Sequence, residues 1–111
     1  MNLAIIYGRI GADMELRYTS GGKAVCNFSV ATGRKTGTSD YTQWHRVVAW
    51  ERTAELCAEH LGKGSLVLVK GEINYSSYEK DGVTKYTTEI KAAPYGGVTF
   101  GPKKAEDDLP F

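Results

Sequence analysis

The feature that most constrains this chain is a single helical segment set among strand-like segments. Residues 52–61 place small and apolar side chains at the i, i+3, i+4 and i+7 spacing of an amphipathic helix. The helix is expected to end at Gly62, and Thr53 is a weak signal for its start. Strand patterns cover residues 3–10, 24–32, 42–50 and 65–71 and a hairpin-forming segment at 72–91. One short helix cannot cover a broad sheet, so the sheet must close on itself to hide its edges. The order predicts an all-β OB-fold, a five-stranded Greek-key barrel with one short α-helix between strands 3 and 4.

Length and composition fit one domain of this kind. The chain has 111 residues, of which 41% are hydrophobic and 24% are charged, as in globular proteins. Its longest apolar run, residues 3–7, is far shorter than the ~20 residues of a membrane span, and no secretory signal is recognised. Cys26 and Cys57 lack a CxxC spacing and are expected to be reduced core thiols. We therefore expect a cytoplasmic protein with no membrane partner.

The first strand is apolar on both faces. One face carries Ala4, Ile6 and Ile10, and the other carries Leu3, Ile5 and Tyr7. Such a strand is covered by the core on one side and by something else on the other, and a partner subunit is one candidate. Gly8 and Gly71 lie within strand segments, where they suit the bends of a small barrel.

The connecting segments are less regular. Residues 14–18 are a candidate continuation of the sheet, residues 33–41 form a flexible loop or a loose hairpin tip, and residues 92–101 form a Gly- and Pro-rich exit. Asp81-Gly82 is a strong signal for a two-residue hairpin turn.

No group of residues predicts catalysis or metal binding. His45 and His60 have no cysteine or acid at metal-ligand spacing. Residues 62–65 (GKGS) lack the upstream glycine and the adjacent Lys-Ser/Thr pair of a phosphate-binding loop. We expect a protein that is not an enzyme and that uses no cofactor or metal.

The third strand carries two tryptophans on one face. In an extended chain Trp44, Arg46, Val48 and Trp50 share that face, and His45, Val47 and Ala49 share the other. The small aliphatic side chains of the second face suit a barrel interior. The indoles of the first face either pack under a loop or at a subunit interface, or they form a platform on which unpaired bases stack while cations bind phosphates.

The hairpin segment at 72–91 is too polar to belong to the core. It carries Tyr75, Tyr78 and Tyr86 interleaved with Lys80, Lys85 and Lys91. The tyrosines either stabilise the hairpin as cross-strand pairs, with solvated lysines, or close over a strand of nucleic acid.

The last ten residues form a region of their own after a domain at 1–101. In residues 102–111 the acids Glu106, Asp107 and Asp108 precede Leu109, Pro110 and Phe111. The apolar side chains either fold onto the domain, or the segment is a peptide tag for a basic-rimmed apolar pocket on other proteins.

The net charge of +1 by itself argues against a nucleic-acid-binding protein, which usually has a basic excess. The total combines a net of +2 in residues 1–101 with −1 in residues 102–111. Any affinity for nucleic acid would therefore depend on ring stacking and on a few well-placed cations, and it would weaken only mildly with salt. These cations are Arg34, Lys35, Arg46, Lys80 and Lys85.

Four stretches together resemble bacterial single-stranded-DNA-binding proteins. They are Trp44-His45-Arg46-Val47-Val48, the Ala54-Glu55 helix running into Lys63-Gly64-Ser65, Tyr86-Thr87-Thr88-Glu89, and Asp107-Asp108-Leu109-Pro110-Phe111. The resemblance implies an OB-fold that assembles, usually as a homotetramer or else as a dimer. It also implies sequence-independent binding of single-stranded DNA in replication, recombination and repair, in a nucleoid-associated cytoplasmic location.

The resemblance implies roles for individual residues. Trp44 matches a base-stacking tryptophan of the family. Trp50 occupies the position where the family usually has a stacking phenylalanine, and Tyr78 occupies the hairpin position where a stacking tryptophan is common. Arg46 matches a basic residue beside the stack. The expected DNA-binding set is completed by Arg34, Lys35, Lys80, Lys85 and Tyr86.

Further positions match contacts with proteins rather than DNA. His45 matches a histidine of the subunit interface. The family's dimer-forming strand is matched by Leu3, Ile5 and Tyr7. The family's tip, which recruits replication, recombination and repair proteins, is matched by Asp107, Asp108, Leu109, Pro110 and Phe111.

Two departures from the family pattern matter. Residues 33–37 have no ring where many members carry a stacking aromatic, so either Tyr41 substitutes or the affinity per subunit falls. Only about ten residues follow Gly101 in place of a long linker, so the tip is expected to stay near the body. This favours a plasmid-borne, phage-borne or secondary copy over the housekeeping protein without deciding between them. The alternative function is a protein–protein adaptor on the same barrel, with DNA or RNA binding secondary.

Overall fold

The computed structural model describes residues 1–36, 39–94 and 96–100, and this range forms seven strands and one helix. In chain order these are β1 (Ala4–Ile10), β2 (Glu15–Tyr18), β3 (Ala24–Thr36), β4 (Ser39–Trp50), α1 (Glu51–His60), β5 (Leu66–Lys80), β6 (Val83–Ala92) and β7 (Val98–Phe100). The predicted boundary at residue 101 and the region 102–111 lie outside the described residues. No helix within the described range is long and apolar enough to cross a membrane.

Five of the strands close into a ring. β1 pairs with β3, β3 with β4, β4 with β6, β6 with β5, and β5 returns to β1. The pairing of β4 with β6 is parallel, and the other four are antiparallel. This ring is the five-stranded barrel of the OB-fold, so the predicted fold is confirmed. The ring strands in chain order are β1, β3, β4, β5 and β6. The helix lies between the third and the fourth of them, as predicted.

Two seams of the ring are short. β1 meets β3 through two residue pairs, and β4 meets β6 through two. A β-carbon at Gly8 would collide with the carbonyl oxygen of Ala31, and one at Gly71 would collide with that of Lys91. Both glycines are therefore required because neighbouring strands cross too closely to admit a side chain.

Alternate residues of the strands fill the barrel, and α1 closes one end of it. The fully buried side chains include Ile10, Val30, Val47, Val67, Val69 and the two cysteines Cys26 and Cys57. Both cysteines are free thiols, as predicted. Burial raises the pKa of Cys26, and it raises the pKa of Cys57 to about 12. A neutral thiol suits this interior because burial disfavours the charged thiolate.

Several segment boundaries differ from the predicted ones. Segment 65–71 and the first arm of the hairpin are one continuous strand, β5. The exit at 92–101 is not wholly irregular, because β7 forms there and pairs with β5. Of the two alternatives for residues 33–41, the described part is a hairpin, since β3 and β4 stay paired out to Thr36 and Ser39. The expected extension of the sheet at 14–18 is present as β2, which pairs with β3.

The helix begins and ends one residue earlier than predicted. Trp50 occupies its N-cap position without a side-chain capping hydrogen bond, so Thr53 is not the cap. Glu51 has a φ of 56°, and this left-handed residue makes the sharp turn from β4 into α1. The helix ends on extended Leu61, and Gly62 does not provide a left-handed cap.

Candidate nucleic-acid interface

The outward-facing surface of β4, β6 and β5 collects most of the predicted binding residues. Val48 pairs with Lys91 across the β4–β6 seam, and Lys91 pairs with Glu72 across β6–β5. Side chains of cross-strand partners share a face, and faces alternate along each strand. The register therefore places six of the predicted binding residues on one surface, which we call the outer sheet face. They are Trp44, Arg46, Trp50, Tyr78, Lys80 and Lys85.

The two tryptophans of the outer sheet face are accessible to solvent. Trp44 is 60% exposed and Trp50 is 37% exposed. Val48, between them on the same face, is buried, so the predicted outward row of β4 is not accessible along its whole length. Large exposed rings that do not serve the core are typical of a binding surface.

Trp44 is supported by the backbone of Gly11. A β-carbon at Gly11 would collide with the six-membered ring of the indole, so the missing side chain leaves the room that this ring occupies. The indole thus has a backbone contact on one side while most of its surface remains open. The sequence held no signal for this contact, because Gly11 lies outside the strands and far from Trp44 along the chain.

The long hairpin separates the predicted tyrosines. Tyr78 pairs with Lys85 on the outer sheet face. Tyr86 pairs with Ser77, and Tyr75 pairs with Thr88, on the opposite face, which continues the barrel interior. The structure therefore does not bring Tyr86 to the surface that holds Tyr78. No two of these three tyrosines are direct cross-strand partners, so the alternative of directly opposed Tyr–Tyr pairs is not formed.

The hairpin is a regular extension of the barrel. Its ladder runs without interruption from the Gly71–Ala92 pair to the Lys80–Val83 pair. Asp81 and Gly82 have φ values of 54° and 76°, the geometry of a type I′ turn, which confirms the predicted hairpin turn. Ser76 and Thr87 also share a hydrogen bond between their hydroxyls. Tyr78 and Lys85 are therefore held in a defined position relative to the barrel.

Two clefts border the outer sheet face. The mouth cleft, with a volume of about 440 Å³, lies where the start of β4 separates from β6, and it is lined by Ala4, Ile6, Trp44, Arg46, Ile73 and Tyr75, among others. The helix groove, of about 660 Å³, lies beside α1 and is lined by Trp50, Arg52, Leu56, Lys91 and Phe100, among others. The two tryptophans thus mark opposite ends of the outer sheet face.

The residues predicted for subunit contacts lie away from this face. Ile5 and Tyr7, on the outward side of β1, are exposed and form an apolar strip with the exposed Leu3 directly before the strand. His45 points toward the barrel side of β4 and is half-buried, with its Nε2 atom 2.7 Å from the Thr32 hydroxyl.

Some predicted residues have no described side chain. The backbones of Arg34 and Lys35 lie on β3, but their side chains are outside the described residues. Tyr41, the proposed substitute for the missing loop aromatic, alternates to the face of β4 opposite Trp44. The tip from Asp107 to Phe111 is also outside the described range. Within residues 1–36, 39–94 and 96–100, no three His, Cys, Asp or Glu side chains are grouped closely enough to hold a metal ion.

A closed five-stranded barrel with exposed rings and cations on one sheet surface defines the class of OB-fold ligand-binding barrels. The particular family is shown by sequence comparison. The model of the single-strand binding protein family matches residues 1–97, and this chain belongs to that family.

Individual relatives agree with this assignment. The "Single-stranded DNA-binding protein" of Xanthomonas campestris is 40% identical over 98 residues, which are 83% of this chain and 57% of the relative. Its namesake from Neisseria meningitidis is 39% identical over 98 residues, 83% of this chain and 56% of the relative. The chain therefore spans little more than half the length of these relatives. A solved structure, "Plasmodium falciparum SSB complex with ssDNA", has a TM-score of 0.84 and 27% identity, covering 92% of this chain and 96% of that one.

Proposed function

We propose that this protein binds single-stranded DNA without sequence preference through the outer sheet face. The observation that carries the proposal is the placement of Trp44, Trp50 and the Tyr78–Lys85 pair on one surface, with Arg46 beside Trp44. The names of its relatives and its similarity to the Plasmodium SSB complex with ssDNA support this ligand.

Stacking supplies most of the affinity in this proposal. Unpaired bases stack on the two indoles and on Tyr78, at about 1–3 kcal/mol per base, and every base offers a ring to stack. Phosphates contact Arg46, Lys80 and Lys85, and we expect Arg34 and Lys35 to contribute further phosphate contacts on the basis of their sequence alone. Tyr86 lies on the other face of the hairpin, so a DNA strand reaches its ring only by wrapping around the hairpin. The role is binding and protection rather than catalysis.

The length of the face fits a short segment of strand. Trp44 and Trp50 are six positions apart on β4, a separation of about 20 Å at the rise of an extended chain. OB-fold barrels typically occupy about 4–16 nucleotides each. Several nucleotides per protomer are therefore expected between and beyond the two indoles.

We further propose that the apolar strip of β1 joins protomers into a dimer or homotetramer, with His45 contributing to a subunit contact. The support is the exposure of Ile5 and Tyr7 on β1, a paired strand of the ring, and of Leu3 directly before it. Light scattering should give a mass of at least two chains at micromolar concentration, and Ile5→Glu should lower it. A monomer for the unaltered protein would contradict this part.

The region 102–111 is proposed to recruit replication, recombination and repair proteins, in a cytoplasmic, nucleoid-associated setting. The support is its sequence of acids followed by Leu109, Pro110 and Phe111. Deleting residues 107–111 should leave DNA affinity within about twofold and abolish partner capture. If the deletion left partner capture intact, the tip assignment would fail; if the unaltered chain captured partners without binding DNA, the adaptor role would replace the DNA-binding one.

The central experiment is a titration of tryptophan fluorescence with oligo(dT) of increasing length. Quenching is expected because stacked bases quench indole emission, and oligo(dC) and oligo(dA) should bind comparably. With three to five phosphate contacts per protomer, log K should fall against log salt with a slope of about −2 to −4. A duplex of equal length is the control. Absence of quenching at low salt would refute the proposed function.

A further inference from the structure

Three glycines near the strands of the ring differ in what occupies the place of the missing side chain. At Gly8 and Gly71 the nearest atoms are backbone carbonyl groups, so these two glycines serve the fold. At Gly11 the three nearest atoms all belong to the indole of Trp44. A β-carbon there would collide with Cζ3 and would lie 2.8 Å from Cη2 and 3.3 Å from Cε3. Gly11 therefore bears on a residue of the candidate interface rather than on the barrel.

The indole reaches Gly11 across the outward surface of β3. Trp44 pairs with Ala31 of β3, which pairs in turn with Arg9 of β1, so these three side chains share one face of the sheet. A side chain at Gly11, two positions after Arg9, would point to the same face, because its β-carbon would meet the ring. The ring thus extends from β4 across β3 and ends against the segment that follows β1.

Hydrogen bonds hold the backbone at this point on two sides. The N–H of Gly11 donates to the carbonyl of Ser29 at 3.0 Å. The N–H of Ile10 donates to the carbonyl of Ser65 at 2.9 Å, and the Ile10 carbonyl accepts from the N–H of Gly64 at 2.7 Å. Because the segment is tied both to β3 and to the loop before β5, it does not retreat from a new side chain. The indole, which is the free end of a side chain, has to move instead.

The backbone conformation does not require glycine at position 11. Among the described residues, the glycines with a positive φ are Gly22, Gly64, Gly82 and Gly96. Alanine therefore suits the backbone at Gly11. The effect of Gly11→Ala comes from the room that its methyl group takes from the indole.

A stacking ring is useful only if its position is right. Base–aromatic stacking contributes about 1–3 kcal/mol per base, and a ring that is already held near its bound orientation loses little side-chain freedom when the base arrives. The three contacted atoms are consecutive along one edge of the six-membered ring of Trp44. A contact at this edge limits how far the indole can swing, and it does not itself cover the face of the ring.

We propose that Gly11 is a positioning residue for DNA binding. The absence of its side chain sets the place of the Trp44 indole, and a larger residue at position 11 displaces the ring from its stacking position. Gly11 acts through this ring and not through a contact of its own with DNA. This inference rests on the proposed function, because it concerns a ring on which that function depends.

A double-mutant cycle tests the coupling between the two residues. Gly11→Ala should weaken oligo(dT) binding at least about threefold, against about 5- to 150-fold for Trp44→Ala, since a displaced ring keeps part of its stack. In a Trp44→Ala background the same Gly11→Ala change should stay within about twofold, because no ring remains to be displaced. The matched control is Gly21→Ala, whose β-carbon would meet only the Thr19 hydroxyl at 3.9 Å and whose affinity should be unchanged.

The ring can also be observed directly in a chain that carries Trp50→Phe, because Trp44 is then its one indole. Gly11→Ala should change the emission maximum of the free protein. It should also reduce the fraction of emission that saturating oligo(dT) quenches, with saturation followed by the anisotropy of a labelled oligonucleotide. Light scattering and thermal unfolding should give the same assembly mass and nearly the same unfolding temperature, because the ring moves and the barrel does not.

The outcomes separate this proposal from the proposed function. If the unaltered chain binds oligo(dT) and Gly11→Ala binds it equally well, the positioning role is overturned and the proposed function stands. Equal losses with and without the Trp44 ring, a lower assembly mass, or a Gly11→Ala chain that does not fold would each show that Gly11 acts by another route, and would overturn the role as well. If the unaltered chain does not bind the oligonucleotide at all, both proposals are overturned.

Discussion

The two halves of β5 differ in what they do, although they are one continuous strand. From Leu66 to Gly71 the strand belongs to the ring, and its inward side chains are buried. From Asn74 to Lys80 it runs out into the hairpin, and both of its faces are exposed. The comparison shows how one continuous strand can stabilise a fold at one end, where it pairs with β1, and present rings and cations at the other, where it pairs with β6. Changes in the barrel half should therefore alter folding, and changes in the hairpin half should alter binding.

The largest effect is expected at Gly71, where the barrel half ends. Gly71→Val places side-chain atoms against the backbone of Lys91, so β6 must move and the ring cannot close. We expect a loss of more than about 4 kcal/mol, measured by circular dichroism and thermal unfolding. Gly21→Val is the control, because a β-carbon there would meet only the Thr19 hydroxyl, at an ordinary contact distance of 3.9 Å. A Gly71→Val variant as stable as the control would show that the strands do not cross closely here.

The next largest effect tests the interior of the same half. Leu66 is 1% exposed, and Leu66→Ala should lower the free energy of unfolding by about 2–5 kcal/mol. Below the unfolding transition its DNA affinity should equal that of the unaltered chain. The matched change in the hairpin half is Val83→Ala, which removes an exposed side chain and should cost less than about 0.5 kcal/mol. Equal losses in the two variants would remove the distinction between the halves.

Tyr78 provides the converse test in the hairpin half. Tyr78→Ala should weaken oligo(dT) binding by about 1–3 kcal/mol, because one stacked base loses its partner. Its free energy of unfolding should change by less than about 0.5 kcal/mol, since the ring is exposed. Tyr78→Phe keeps the ring and should bind almost normally in a fluorescence titration. Wild-type affinity in Tyr78→Ala would exclude the hairpin from the binding track.

The last effect concerns pH and again belongs to the barrel, and it is the smallest when stability is compared between pH 8 and pH 10. The pKa of Cys57 rises from 9.0 to about 12 on folding because burial disfavours the thiolate. The unfolded thiol ionises first, so stability is full below pH 9 and falls as pH rises toward 12. The loss is about 1.4 kcal/mol for each pH unit in that window. Urea titrations at pH 8 and 10 should show it. Cys57→Ala should have a smaller difference between the two pH values; an unchanged difference would mean that the thiol does not titrate this way.

Strand positions and the site tryptophans were predictable because their signals are local. The alternation in residues 24–32 and 42–50 reports burial directly, and it placed Trp44 and Trp50 on the outward face. The sequence also allows one to predict that Tyr75 and Tyr86 lie on the face of the hairpin opposite Tyr78. A two-residue turn at Asp81-Gly82 makes Lys80 and Val83 partners, and the alternation of faces then follows along both arms.

Other features depend on tertiary contacts and have no local signature. The change from buried to exposed residues near Gly71 looks like the end of a strand, yet β5 continues because β6 pairs with it from Gly71 to Lys80. Thr53 has the chemistry of a helix cap, but β4 runs directly into α1 and leaves no place for one. The contact between Gly11 and Trp44, like the mouth cleft, arises only when distant segments fold together.

The ring of strands also has a consequence for how the chain reaches its native state. Ala4 pairs with Gly71, so β1 lacks its main partner until most of the chain is present. Pairings this distant in sequence make folding slow, on the scale of milliseconds to seconds in barrels of this kind. The β3–β4 hairpin can form early, since its arms are adjacent, while the open edge of β1 stays available for wrong pairings. During synthesis on a ribosome, the unpaired edge of β1 is therefore the part of the chain that a chaperone would most usefully cover.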